Sequence, residues 1–221
     1  MNITEAIKAR KSTRAYQDKA VEREKIVRIL QAARHAPSGT NAQPWQVAVV
    51  TGEKRDEITA RMVAAFEKDG IGTMDYEYYP LKWKYPYKKR RVACGAQLYA
   101  TLHIERGDRE GRLRQWVANY RAFDAPVILF FFMDRVMEKG SYLDFGMFIQ
   151  SVMLAALDEG LATCAQAALG QYPELVRQAL DFDKDMVLLC GMALGYEDKE
   201  APINSYRTPR EEVEVFTRFY E

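Results

Sequence analysis

The chain has 221 residues, with 32 Lys plus Arg against 31 Asp plus Glu and a formal net charge of +1. That balance excludes a polybasic nucleic-acid tail and an acidic solvating segment as the dominant character. Hydrophobic residues make up 48% of the chain, which removes the compositional basis for disorder or a fibrous repeat and predicts a folded protein with a sizeable core.

Asn2 with Glu5 three positions on is a capping-box pattern, and Ile3, Ala6 and Ile7 continue it at helical spacing until the polar run Arg10-Lys11-Ser12-Thr13-Arg14. From Val21 the apolar set Ile26, Ile29, Leu30 and Ala33 predicts a second helix, stopped by the turn formers Pro37 to Asn41. Trp45 to Val50 reads as a strand, and Glu53 to Lys68 as a third helix ending at Asp69-Gly70. The stretch 71–91, rich in aromatic residues and closing on Lys88 to Arg91, keeps neither period and reads as an insertion or lid. Helical pattern returns with Leu98 and Leu102.

Val127 to Met133 is a continuous β-branched and aromatic run, the pattern of a strand buried on both faces, and from it a parallel or mixed sheet is expected. Ser141 and Asp144 open a helix to about Glu159 that is apolar nearly all round, so burial on most sides is expected. Leu161 to Gln166 suits a strand, Pro173 the first turn of a helix, Val187 to Leu194 a second doubly buried strand, and Val213 with Val215 a short terminal strand. With no repeat and no linker, the expected fold class is α+β: a single domain over 1–221 with a lid-like insertion at 71–91.

Three cysteines, Cys94, Cys164 and Cys190, with no C-x-x-C spacing support neither a disulfide framework nor a zinc ribbon and fit a reducing cytoplasm. No apolar run reaches the roughly 18 residues of a membrane span, and the N-terminus lacks a signal-peptide core, so a soluble, unsecreted protein is expected and the Asn2-Ile3-Thr4 sequon is without meaning. The two histidines, His35 and His103, have no partner at ligand or triad spacing and read as surface or satisfied core residues, with no metal site. The glycine patterns of dinucleotide folds, P-loops and α/β-hydrolases are also missing from the chain.

What remains is a set of dispersed polar clusters: Arg10 to Arg14, Pro37-Ser-Gly-Thr-Asn-Ala-Gln-Pro-Trp45, Cys164-Ala-Gln-Ala-Ala168 and Tyr206-Arg-Thr-Pro-Arg210, with Asp144-x-Gly-Met147 and Gly160-Leu-x-Thr-Cys164 beside them. Individually each is an ordinary solvated turn or surface charge. In this order and spacing they resemble the FMN-dependent nitroreductase family along essentially the whole chain. The aromatic stretch Tyr78-Tyr-Pro-x-x-Trp-x-x-Pro-Tyr87 resembles its nitrobenzene and nitrobenzoate reductase branch.

The resemblance implies a nitroreductase-like fold, a central mixed sheet flanked by helices, in an intertwined homodimer with FMN at the interface and the long apolar helix packed across it. It implies Arg10 and Ser12 with Arg207 and Arg210 around the FMN phosphate, Lys11 among the cofactor-binding residues, and Arg14 beside the flavin pyrimidine. Pro37, Ser38, Asn41 and Gln43 match the loop that reaches the ring and ribityl chain from the partner subunit. Flavin N5 would meet a backbone donor of the turn at Gln166, Ala167 and Ala168; many relatives have an acidic residue and a glycine there, which leaves the choice between the Ala167 and Ala168 amides open. No side-chain acid or base is required at N5. Cys164 reads as a small buried hydrophobe with nothing basic adjoining it.

Tyr76, Tyr78, Tyr79 and Trp83 are the residues expected to cover a small aromatic substrate. The implied activity is hydride transfer from NADH or NADPH through FMN to nitroaromatic and quinone-like acceptors in a ping-pong sequence. Two other readings stand beside it. Reductive dehalogenation of a halogenated aromatic such as a halotyrosine would use Glu77, Tyr78 and Lys82. A nucleic-acid-binding module would use the aromatic and basic segment 76–91.

Overall fold

The computed structural model describes residues 1–221 as one antiparallel sheet with helices on both faces. In chain order the elements are α1 (Ile3–Ala9), α2 (Arg23–Ala33), β1 (Gln46–Thr51), α3 (Gly52–Asp69), α4 (Tyr87–Thr101), α5 (Arg109–Tyr120), β2 (Val127–Asp134), α6 (Gly140–Asp158), β3 (Ala162–Gln166), α7 (Pro173–Leu180), β4 (Met186–Gly195) and α8 (Val213–Phe216). The strand order is β1-β2-β4-β3. Each neighbouring pair is antiparallel, and the only parallel contact is an isolated bridge between Ser12 and Thr163. The parallel pairing expected from the apolar run at Val127 is thereby corrected. Such a run reports helices on both faces of the sheet, and not the direction of its neighbours.

The alternation along β2 shows how both faces are filled. Val127, Leu129, Phe131 and Met133 join the core under α2 and α6, while Ile128, Phe130 and Phe132 join the one under α3, α5 and α7. Every residue of β4 is buried. Between Phe131 and Phe132 the β2–β4 register slips, so that Cys190 and Leu188 have partners and Leu189 has none. A bulge of this kind bends its strand and re-aims a backbone group. Here the Leu189 carbonyl accepts a hydrogen bond of 2.8 Å from the Tyr76 hydroxyl.

Helix α6 is long and apolar enough to cross a membrane by length and composition. Its face of Phe145, Phe148, Val152 and Ala156 packs into the core, with Trp45 stacked on Phe148 at a centroid distance of 4.7 Å. The expected burial holds for this face alone: Leu143 is 74% and Met147 40% exposed. Ser141 and Asp144 do not cap the helix, whose N-cap position is Lys139; the Asp144 carboxylate instead accepts from the backbone N–H of Gly39 at 3.2 Å. That bond ties the Pro37 to Gln43 loop to the start of α6.

The segment 71–91 divides at Pro86. Residues up to that proline are irregular, whereas Tyr87 and Lys88 to Arg91 open α4, since Lys and Arg are good helix formers and a proline suits the helix start. The root of the irregular part is held by a buried ion pair. Arg177 Nη1 lies 2.5 Å from Asp75 Oδ2, with side chains 3% and 10% exposed, and Asp75 Oδ2 also accepts from the Leu188 N–H at 2.9 Å. Val213 to Phe216 forms a single exposed helical turn in place of the expected strand, because no strand of the sheet lies beside it to pair with.

The two ends of the chain are joined by one buried amide. Asn204, 3% exposed, accepts from the Arg14 N–H at 2.8 Å and donates to the carbonyls of Ala15 at 2.9 Å and Asp198 at 2.8 Å. Its own carbonyl accepts from Lys11 Nζ, 193 residues away in sequence. At about 1 kcal/mol net per hydrogen bond, Asn204→Ala is expected to lower the unfolding free energy by about 2–3 kcal/mol in a denaturant titration. A loss under about 0.5 kcal/mol, the range of an ordinary surface substitution, would show that the amide does not hold the ends together.

Candidate functional site

A trough built in three consecutive parts runs across the molecule, each part sharing residues with the next. The first is a cleft of about 520 Å³ between the two chain ends, lined by Arg10, Lys11, Ser12 and Arg14 from one side, Tyr206, Arg207, Thr208 and Arg210 from the other, and Cys94 of α4. The two distant cationic clusters of the sequence are brought together here. None of Arg10, Arg14, Arg207 and Arg210 forms an ion pair with a carboxylate. Burial first, then the charges of Arg210 and Arg207, lower the pKa of Arg10 from its ordinary value. A half-buried guanidinium facing two like charges is a concentration of positive potential that a dianion would relieve.

The members of the cleft have distinct jobs. Arg207 turns back onto the end of α1, donating from Nη1 to the carbonyls of Lys8 at 2.9 Å and Arg10 at 3.2 Å and from Nη2 to Ala9. It therefore satisfies carbonyls left without partners at the helix C-terminus and fixes the backbone that carries Arg10. Lys11 is drawn away by Glu197, at 2.6 Å, so its charge is neutralised within the chain. Arg210 is exposed and holds only the Thr208 and Pro209 carbonyls and the Thr208 hydroxyl of its own loop. Arg14 Nη1 donates to the Ser12 carbonyl at 3.3 Å and to the Tyr206 hydroxyl at 3.4 Å, which fixes its guanidinium between the first part of the trough and the second.

The second part, about 310 Å³, runs from Arg14 along Cys164 to Ala168, with Tyr79, Leu98, Tyr99, Trp116, Asn119 and Gln171 on its walls. Its floor is the end of β3 and the 3-10 turn Ala167–Gly170. The first N–H groups of such a turn have no acceptor inside it, so Ala167 and Ala168 present backbone donors beside the trough. Gln166 is buried, with its Nε2 donating to the Asn119 carbonyl at 3.0 Å and its Oε1 left without a partner. Cys164 is buried as expected. Arg14 and Arg10 do adjoin it and pull its pKa down, contrary to the sequence reading, yet burial prevails and the thiol stays above its ordinary value.

The third part, about 190 Å³, shares Ala165, Gln166 and Ala167 with the second and is walled by Tyr76, Tyr78, Tyr142, Phe145, Ile149 and Cys190. Tyr76 and Tyr142 meet edge to face at 5.1 Å, and Tyr78 packs on Tyr79 at 4.6 Å. Burial raises the pKa of Tyr76 and of Tyr78, and pushes the Cys190 thiol up to about 12, so these walls are uncharged near neutrality.

Of the four aromatic residues expected over a substrate, Tyr76, Tyr78 and Tyr79 line the trough. Trp83 does not; it packs between Tyr79, at 5.7 Å, and the Arg91 guanidinium, at 5.1 Å. Glu77 and Lys82 are exposed and line none of the three parts. Pro37, Ser38, Asn41 and Gln43 lie outside the trough as well. Their loop is held by the Gln43 N–H donating to Ser38 Oγ at 3.0 Å, with Thr40, Asn41 and Gln43 at positive φ, a strained backbone of the kind that clusters at functional sites.

Asn204, Asn119, Gln171 and the α4 and α5 rings Tyr99 and Trp116 give no signal in the sequence. Each is a common residue type with no motif around it. Only the fold, which sets α4 and α5 over the end of β3, brings them to the trough.

The sequence signature of the Nitroreductase family matches residues 7–196. The chain is 37% identical over 218 residues to the nitrobenzene nitroreductase of Ectopseudomonas oleovorans, covering 98% of this chain and 96% of that protein. It is 35% identical over 213 residues to a 4-nitrobenzoate reductase of Pseudomonas putida, covering 96% of this chain and 93% of that one. The crystal structure of the FMN and NADPH-dependent nitroreductase NfnB from Sphigopyxis sp. strain HMH superposes with a TM-score of 0.97 at 38% identity, over 100% of both chains. With a match in sequence along nearly the whole chain and a near-identical fold, the chain belongs to the nitroreductase family.

Proposed function

We propose that this protein is an FMN-dependent NAD(P)H nitroreductase that reduces nitroaromatic compounds. The observation that carries the reading is the cleft of arginines without carboxylate partners, joined at Arg14 to a part of the trough lined by the turn residues Ala167 and Ala168. The fit to FMN follows from charge and order. A phosphate monoester bears about −1.5 to −2 at neutral pH, and Arg10, Arg210 and the Ser12 hydroxyl would hold it in the part where like charges now face one another. Arg14, fixed at the junction, would sit where negative charge collects on a reduced flavin pyrimidine. Ala167 or Ala168 would donate its N–H at N5.

FMN held there would supply the hydride chemistry between a nicotinamide and the acceptor. The residues around it bind and orient. The uncharged rings of Tyr76, Tyr78 and Tyr142 form a slot suited to a planar aromatic molecule, and Tyr76 is fixed there by its bond to Leu189. The balanced overall reaction is ArNO₂ + 2 NAD(P)H + 2 H⁺ → ArNHOH + 2 NAD(P)⁺ + H₂O. Because reductant and acceptor would use one trough, a ping-pong sequence follows, and a quinone, also planar and uncharged, would be accepted in the nitroarene's place.

A homodimer completes this reading. The open face of α6, with Leu143 and Met147 exposed, needs a cover, and the strained Pro37–Gln43 loop, which lines no part of its own trough, would reach into a partner's. Residues Glu77 and Lys82, on which a halotyrosine reductase reading depends, line no part of the trough. In the 76–91 segment Arg90 is paired with Glu211 at 2.7 Å and Arg91 covers Trp83, so half of the basic run offered to a nucleic acid is already engaged.

Purified protein is expected to show flavin absorbance near 450 nm as an approximate band position, or to gain it on addition of FMN, and to oxidise NAD(P)H with nitrobenzene. A colourless protein that also takes up no FMN would end the proposal. Arg207→Ala, which frees the backbone carrying Arg10, is expected to weaken FMN binding at least about tenfold, or about 1.4 kcal/mol. Unchanged affinity in a fluorescence titration would show that Arg207 does not position the phosphate site.

A further inference from the structure

The basic run at the start of α4 is only partly explained by the contacts it makes. Arg90 has its carboxylate partner in Glu211, and Arg91 lies over Trp83. Lys88 and Lys89 have no carboxylate partner, and both line an open groove of about 470 Å³ with Tyr85, Val92 and Ala93. The ring of Tyr85 is 78% exposed and stacks on no other aromatic residue.

The helix connects this groove to the trough. Lys88, Val92, Gly95 and Tyr99 follow the spacing i, i+4, i+7, i+11 and so share one face of α4. Tyr99 lines the trough beside Ala167, and at the helical rise Lys88 lies about 16 Å further along. Midway, a Cβ built on Gly95 would meet nothing within 4 Å, so no neighbouring atom crowds the helix at that point. Two free ammonium groups and an exposed phenol ring, on the helix face that also carries Tyr99 to the trough, match an adenosine that bears a phosphate monoester. The phenol offers a stacking surface for the base and the lysines a double charge for the dianion.

We propose that the groove at Lys88 and Lys89 binds the adenosine 2′-phosphate of NADPH and makes NADPH the preferred reductant. The proposal rests on the NAD(P)H reading above and deepens it. NADH has a hydroxyl at that position and leaves both lysines in water, so the discrimination comes from charge and not from shape.

The test uses the FMN-loaded enzyme and the double variant Lys88→Ala/Lys89→Ala, both substitutions being at exposed positions outside the trough. With nitrobenzene as acceptor, kcat/KM for NADPH is expected to fall at least about tenfold in the variant while the value for NADH changes less than about twofold. Calorimetric titration with 2′,5′-ADP, which needs no turnover, is expected to show binding to the wild type at least about tenfold tighter than to the variant, and 5′-AMP equal weak binding to both. A smaller fall for NADPH, a parallel fall for NADH, or equal binding of 2′,5′-ADP by the two proteins overturns the proposal. Should neither nicotinamide be oxidised, the general function fails while the 2′,5′-ADP titration still decides the groove.

Discussion

The interaction on which the rest of the site depends is the cross-link of the chain ends by Asn204. A cluster of like charges does not assemble itself; Arg10, Arg14, Arg207 and Arg210 repel, and Arg10 is partly removed from water as well. Something neutral must hold them. Asn204 does so with hydrogen bonds to residues 14, 15 and 198, and Arg207 adds its own to the carbonyls of Lys8, Ala9 and Arg10. The stability of the fold is thereby used to maintain an arrangement that is unfavourable until an anion occupies it.

The second constraint is the sheet. Because β4 is buried along its whole length and β3 ends at Gln166, the 3-10 turn that follows leaves the sheet where α4 and α5 cover it on one side and the tyrosines of the irregular segment on the other. The bulge at Leu189 and the buried Asp75–Arg177 pair fix that segment at its root, while Tyr79, Leu81 and Tyr85 beyond it are exposed. A rigid root and an open tip suit a wall that admits flat molecules of differing outline.

Much of this was legible in the sequence, for reasons that differ from element to element. The period-3.6 pattern at Ile26 to Ala33 and the apolar runs at Val127 and Val187 place the core, because burial leaves its period in the residues themselves. Direction of pairing leaves no such trace, which is why the antiparallel sheet was not foreseen. The charged clusters were visible as clusters, and Arg10, Ser12, Arg14, Arg207 and Arg210 do meet. Lys11 lines the same cleft, but its pairing with Glu197 was not legible, because the two are adjacent only in space. Asn204 was not visible at all, since a single asparagine before a serine and a tyrosine reads as a turn. The net charge of +1, which excludes a basic surface, says nothing of where the charges gather.

The central claim is that the two ends of the chain make one phosphate site. Comparing FMN with riboflavin, which differ only in that phosphate, tests it most directly. In calorimetric titration of the flavin-free protein, FMN is expected to bind at least about a hundredfold more tightly than riboflavin, a difference of about 2.7 kcal/mol. Equal affinities would mean that the arginines gathered by Asn204 do not hold the phosphate, and would contradict the account.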